Sequence, residues 1–192
     1  MAQPRGSTAV AAALEQEIAN LYAAEAPAML RYAAMLAGNP ETARDALQEA
    51  FFRFFIARRA GRQFLSPKAW LFRVARNYIL DHKRSFARNE IGIESALDVA
   101  CPTPDPAAAF TNAGLLQRAS QIGLSAREIE CFRLRGEGLR YEEIATVLGV
   151  QCGTVGALLA RAHGKFRQAL GEEGRQSIGF ALAAPREKRY AS

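Results

Sequence analysis

The residues in this chain best equipped for chemistry are cations, and what they can bind is phosphate. On a helical wheel of about 100° per residue, Arg73, Arg76, Asn77, Lys83 and Arg84 cluster on one side. Leu71, Val74, Ala75, Tyr78 and Ile79 cluster on the other. Asp81 lies only at the edge of the cationic side, and a basic loop with Arg58, Arg59 and Arg62 leads into it. Fixed cations with few acids among them suit a polyanion, because each neutralised phosphate releases condensed counterions. Phe64, Trp70 and Phe72 border the stripe, and rings among cations offer single-stranded bases a stacking surface. Trp70 is equally well placed to be a core residue at the start of its helix.

Other chemistry has little to work with. The chain has two histidines and no Ser/His/Asp set, metal-ligand cluster or phosphate-cradling glycine loop, so no enzyme, cofactor or metal site is expected. His82 falls on the apolar side of the wheel and reads as a packed histidine. The three cysteines, Cys101, Cys131 and Cys152, are odd in number and form no CxxC pair. That count argues against a disulfide scaffold or zinc site and for a reducing compartment. Cys152 opens a helix, where the N-terminal dipole favours a thiolate, but buried packing is the commoner fate of a free cysteine. The apolar run 9–14 is too short for a signal peptide, and no stretch approaches the roughly 20 apolar residues of a membrane span. A soluble, cytoplasmic protein is expected.

The elements that must position the cations are helices. Residues 14–37 are rich in Ala and Leu, and Gly38, Asn39 and Pro40 end that helix. A second helix starts near Glu41, with Leu47, Phe51, Phe54 and Phe55 as its core stripe. Asp45, Gln48, Glu49 and Phe52 lie on a neighbouring face, which taken alone is an ordinary solvated surface. Gly61 and Pro67 mark a loop, with Ser66 a helix cap ahead of Pro67.

A second block follows the same logic. Leu124, Glu128, Cys131 and Leu134 are in helical register, with Ser125 as a cap. Beyond 136–138 come a short helix over 141–148, a turn at Gly149 and a helix from about Gly153, which is helix-turn-helix spacing. In that motif the second helix enters the major groove.

Charge separates the blocks. Overall there are 25 basic and 19 acidic residues, a net +6. Residues 14–90 carry 12 Lys/Arg against 8 Asp/Glu, and residues 115–170 carry 8 against 5. Residues 91–114 hold Glu94, Asp98 and Asp105 with no cation, which reads as an acidic, proline-containing linker. The expectation is an all-α chain of two small helical domains joined by a flexible linker. A disordered start spans 1–13, helical domains span 14–90 and 115–170, and a tail occupies 171–192.

Three segments resemble one family. Residues 45–51 (DALQEAF), 69–84 (AWLFRVARNYILDHKR) and 141–163 (YEEIATVLGVQCGTVGALLARAH) resemble motifs of the sigma-70 family, in its small extracytoplasmic-function (ECF) type. The resemblance implies a transcription initiation factor that binds core RNA polymerase and promoter DNA. It assigns Asp45, Gln48, Glu49 and Phe52 to the clamp helices of the polymerase β′ subunit. The loop 59–66 would accept a flipped base, with Arg59, Arg62, Phe64, Arg73, Arg76, Asn77, Lys83 and Arg84 holding the opened −10 element. Arg140, Tyr141, Gln151, Gly153, Thr154, Ala157, Arg161 and Lys165 would meet the −35 element. The polymerase β flap and an anti-sigma factor are further implied partners.

One departure stands out. Where the family's recognition helix usually carries Lys and Arg, this chain has Gly156 and Leu158. Its outward line, Gly153, Ala157, Ala160 and Gly164, is almost bare, flanked by Arg161 and Lys165. Such a face cannot make several bidentate base contacts, each worth about 1–3 kcal/mol of discrimination. Weak −35 reading is expected, unless the small residues accept another helix. Two other classes remain: a free-standing helix-turn-helix regulator, and a helical adaptor that binds no DNA.

Overall fold

The computed structural model describes residues 5–90 and 122–170, with side chains described over 12–86 and 122–169. The linker at 91–114, the 115–121 segment and the tail at 171–192 lie outside them. The chain divides into two units, Met1–Ala107 and Ala108–Ser192. The described residues are helical throughout, without a strand.

The first unit packs three helices, α1 (Arg5–Ala37), α2 (Pro40–Arg59) and α3 (Pro67–Glu90), each against the other two. Helix α1 starts at Arg5, so residues 5–13 are helical where the sequence suggested disorder. The alanine-rich run there has the highest intrinsic helix propensity of any composition. Pro27 sits inside α1 on its exposed side, and Ala23, whose carbonyl loses its usual N–H partner, is exposed as well. Gly38 adopts φ +84°, and the Asn39 side chain then caps α2 by accepting from the Thr42 N–H at 2.8 Å.

The core of this unit comprises Met29, Tyr32, Leu47, Phe51, Phe54, Leu71, Phe72, Ala75 and Ile79. Burial of a large apolar side chain contributes about 1.5–3 kcal/mol, so this cluster dominates the unit's stability. Two expectations on α3 are overturned. Phe72, expected to border the cationic stripe, is fully buried against Tyr32 at 5.4 Å. His82, expected to be packed, is exposed, beside the Tyr78 ring. By His82 the helix is running beyond its neighbours, and residues 81–86 are all exposed.

The second unit contains α4 (Ala126–Gly136), α5 (Tyr141–Leu148) and α6 (Cys152–Leu170). Gly149, at φ +67°, provides the left-handed turn between α5 and α6. Cys131, Leu134, Leu139, Ile144, Val147, Val155, Leu159 and Ala162 form the core. No single helix among the described residues is long and apolar enough to cross a membrane. Only α5 and α6 taken together approach it, and they meet at 101°.

One carboxylate holds much of this unit in register. Glu128 accepts from the Ser125 N–H at 2.9 Å while its own N–H donates to the Ser125 hydroxyl, a reciprocal cap on α4. The same side chain, 3% exposed, accepts from Lys165 Nζ at 2.7 Å and Arg161 Nε at 3.1 Å, both on α6. Lys165, the Ser125 amide and Arg161 together hold its carboxyl down at about 2, against an ordinary 4.5. A lowered folded-state value means this stabilisation is complete above about pH 4.5 and is lost as pH falls towards about 2. Thermal unfolding of the protein should therefore lose stability across that window, and Glu128→Gln should both lower the melting temperature at pH 7 and flatten the acid limb.

Candidate nucleic-acid interface

On α2, Asp45 and Gln48 are exposed, and Glu49 is half-buried in an ion pair with Arg53 at 2.6 Å. Phe52 is 62% exposed, and Ile56, one turn further along, is 49% exposed. These residues follow i, i+3, i+4, i+7 and i+11 spacing, which places them along one side of the helix. Asp45, Gln48, Glu49 and Phe52 line an open concavity of about 480 Å³, closed on its far side by Tyr78 of α3. Tyr78 was placed on the apolar side of α3 by the sequence, and it does sit at that border, half-buried. Its amphipathic ring was the available signal. A phenylalanine so exposed adds little to the core and, with Ile56 one turn on, leaves apolar surface among polar groups.

The loop between α2 and α3 is held from both ends. Arg58 forms a two-point ion pair with Glu17 of α1, at 3.0 and 2.8 Å. Its remaining donor reaches the Arg62 carbonyl and the Gln63 side chain, each at 3.0 Å. Arg58 is thus structural, unlike Arg59, which is exposed. Phe64 turns inward, packing against Phe54 at 5.0 Å and Trp70 at 4.8 Å, with the Arg62 guanidinium over its ring at 5.2 Å. Trp70 also meets Phe54, at 5.8 Å. Ser66 caps α3 as the sequence indicated, its hydroxyl accepting from the Ala69 N–H at 3.2 Å. Phe64 and Trp70 thus anchor the loop to the core while remaining half-buried, so part of each ring still faces solvent.

The cations are placed as the wheel requires. Arg73, Asn77, Lys83 and Arg84 are exposed and Arg76 is half-buried, while Leu71, Ala75 and Ile79 are buried opposite. Arg84 pairs with Asp81 at 3.1 Å, a highly exposed contact of little energetic weight.

In the second unit Gln151, Gly153, Thr154 and Ala157 are exposed at the start and along the outer side of α6. Arg140 is exposed, its N–H donating to Glu143 at 2.8 Å. Tyr141 is 40% exposed, with Arg135 over its ring at 5.6 Å and with Gly156 leaving room beside it. Arg161 and Lys165 both bond Glu128, Arg161 with its side chain still 57% exposed, and Lys165 also donates to the Gly123 carbonyl at 2.8 Å. Sequence alone could not show this, because the three partners are 33 and 37 residues apart.

The described cysteines differ sharply. Cys131 is buried, and burial pushes its thiol up to about 11, whereas Cys152 is exposed. Among the described residues no group of His, Cys, Asp or Glu is arranged to hold a metal ion. In a Cys101→Ser background, an aromatic disulfide reagent should titrate one thiol in the native protein and two after denaturation, with Cys152→Ser removing the native signal.

Comparison with known proteins identifies the family of both units. Residues 21–89 match the family model for sigma-70 region 2, and residues 123–165 match that for sigma-70 region 4. The ECF RNA polymerase sigma factor SigL of Mycobacterium tuberculosis is 34% identical over 178 residues, covering 91% of this chain and 98% of that protein. BldN, an ECF sigma factor of Streptomyces coelicolor, is 32% identical over 151 residues, covering 74% of this chain and 56% of its own. In fold, the chain resembles the sigma factor RpoE solved with the anti-sigma factor NepR from Bartonella quintana. The TM-score is 0.60 at 22% identity, over 81% of this chain and 97% of that one. A match through the first unit, not only the helix-turn-helix, sets aside the free-standing regulator and the adaptor, and the family is not an enzyme class. The chain belongs to the ECF group of the sigma-70 family of RNA polymerase sigma factors.

Proposed function

We propose that this sigma factor divides promoter initiation among three surfaces, acting in the cytoplasm. The α2–α3 concavity, with Asp45, Gln48, Glu49, Phe52 and Tyr78, docks on the clamp helices of the polymerase β′ subunit. The loop 59–66 and the outer side of α3 hold the opened −10 element through Arg59, Arg62, Arg73, Arg76, Asn77, Lys83 and Arg84. The second unit sits at the −35 element beside the β flap, and an anti-sigma factor restrains the protein by covering one of these surfaces. The linker at 91–114, being acidic, follows the polymerase without competing for DNA.

The observation that carries the reading is Phe52, an exposed aromatic set among Asp45, Gln48 and Glu49 in an open concavity. Such a side chain stabilises nothing within the chain and becomes useful only once another protein covers it. Asp45→Arg combined with Gln48→Ala should abolish co-elution with core polymerase while leaving the circular-dichroism melting curve unchanged. Retained assembly would falsify the docking assignment.

At the −35 element the contact is chiefly to the backbone. Leu158 is buried, Gly156 and Ala157 carry no polar group, and Arg161 and Lys165 are engaged by Glu128. Gln151, Thr154, Arg140 and Tyr141 remain to meet phosphates and a few base edges. With so few bidentate contacts, scrambling the −35 box should weaken holoenzyme binding by less than about ten-fold. A larger loss in a filter-binding titration contradicts this.

A further inference from the structure

Two carboxylates of α1 grip the last turn of α2 and the first turn of α3, and so both margins of the loop between them. On the α2 side, Glu17 accepts from Arg58 Nε and Nη2 at 3.0 and 2.8 Å. On the α3 side, Glu25 pairs with Lys68 Nζ at 3.0 Å, and that ammonium also lies over the Phe72 ring at 5.9 Å. At 1.5 Å of rise per residue, the two acids stand about 12 Å apart along the helix. Helix α1 is therefore a splint of fixed length laid beside the loop.

Exposure separates positioning from stability here. The Glu17 side chain is 43% exposed, and an ion pair so open to water contributes little to folding. The geometric effect of the pair is larger. With one edge of its guanidinium on Glu17, Arg58 turns Nη1 toward the Arg62 carbonyl and the Gln63 side chain, each at 3.0 Å. A planar fork fixed at one edge has its remaining donors aimed, so Glu17 sets the direction in which Arg58 holds residues 62 and 63. The exposed Arg59 and Arg62 and the half-buried Phe64 share that loop. Glu17 also precedes residues 21–89, the segment matched to sigma-70 region 2, so this bond ties the loop to a part of α1 outside that match.

We propose that Glu17 and Glu25 are positioning residues that hold the α2–α3 loop in one shape, and that base selectivity at the −10 element depends on this splint. A loop fixed beforehand in its binding shape loses little entropy on binding and rejects bases that do not fit, whereas a released loop adapts to several. This inference rests on the strand-holding role proposed above for the loop 59–66 and assigns control of its shape to α1.

The test uses holoenzymes assembled from core polymerase and the wild-type, Glu17→Ala, Glu17→Gln, Glu25→Ala or Arg58→Lys chain. The probe is a fluorescent single-stranded oligonucleotide carrying the −10 element of a promoter enriched from a random library by the wild-type holoenzyme. A companion set replaces each of its bases in turn. At the most selective position, Glu17→Ala and Glu25→Ala should each shrink the affinity ratio between preferred and replaced base by at least about five-fold. Arg58→Lys, which keeps the charge but not the fork, should behave like Glu17→Ala. Glu17→Gln, with one acceptor left, should recover part of the ratio. Co-elution with core polymerase should be unchanged, and melting temperatures should stay within about 3 °C of wild type. Selectivity that survives in both alanine variants overturns the splint. So does an equal loss on every oligonucleotide together with a lower melting temperature, the result expected of a purely structural pair. A wild-type holoenzyme that fails to assemble, or that prefers no base, overturns the strand-holding reading itself.

Discussion

Burial of one side of α3 is the constraint on which the first unit depends. Leu71, Phe72, Ala75 and Ile79 have to be removed from water, and α1 and α2 supply the surface that removes them. Once that side is fixed, helical geometry leaves no freedom in where Arg73, Asn77 and Arg84 point. The same packing brings Tyr78 to the mouth of the concavity on α2. Polymerase docking and strand binding, as proposed, are thus presented by one rigid three-helix body. A factor that must hold single-stranded DNA at a set position on a large enzyme gains from such coupling, because misplacement of a binding group by even an ångström is costly.

The second unit reaches rigidity by electrostatic means as well as by packing. Its helices are short, and α5 has only eight residues. Glu128 compensates by capping α4 and binding two cations of α6 at once, so the recognition helix is tied to the scaffold by a nearly buried carboxylate. With Lys165 mostly covered and Arg161 sharing Glu128, the outer side of α6 offers mainly small residues, Thr154 and part of Arg161. Under the proposed function, specificity is weighted toward the first unit, where exposed cations and a braced loop coincide.

The helices, their caps and the two-unit organisation could be read from the sequence because they are local. Ser66 and Ser125 sit directly before the helices they cap, Gly149 marks its own turn, and the apolar periodicity of α2 spans neighbouring residues. What stayed hidden was set by distant partners. Nothing within the segment 59–66 reveals that Arg58 is bound by Glu17, 41 residues earlier, or that Phe64 turns inward. Phe72 read as a border residue because a wheel has no knowledge of Tyr32 on another helix. His82 failed for the opposite reason, since the wheel assumes neighbours along the full length of α3 and the helix outruns them. The pattern Asp45, Gln48, Glu49 and Phe52 taken alone read as solvated surface and gained meaning only from the family resemblance; the facing Tyr78, on another helix, was not legible.

Glu128 also makes the second unit easy to retune. One acid neutralises one of two positive charges: Lys165 is two-thirds covered, while Arg161 keeps a 57% exposed side chain beside Glu128. Exchange of that single residue would leave both cations without their carboxylate and α4 without its reciprocal cap, so the charge presented by α6 and the thermal resilience of the unit change together in one mutational step.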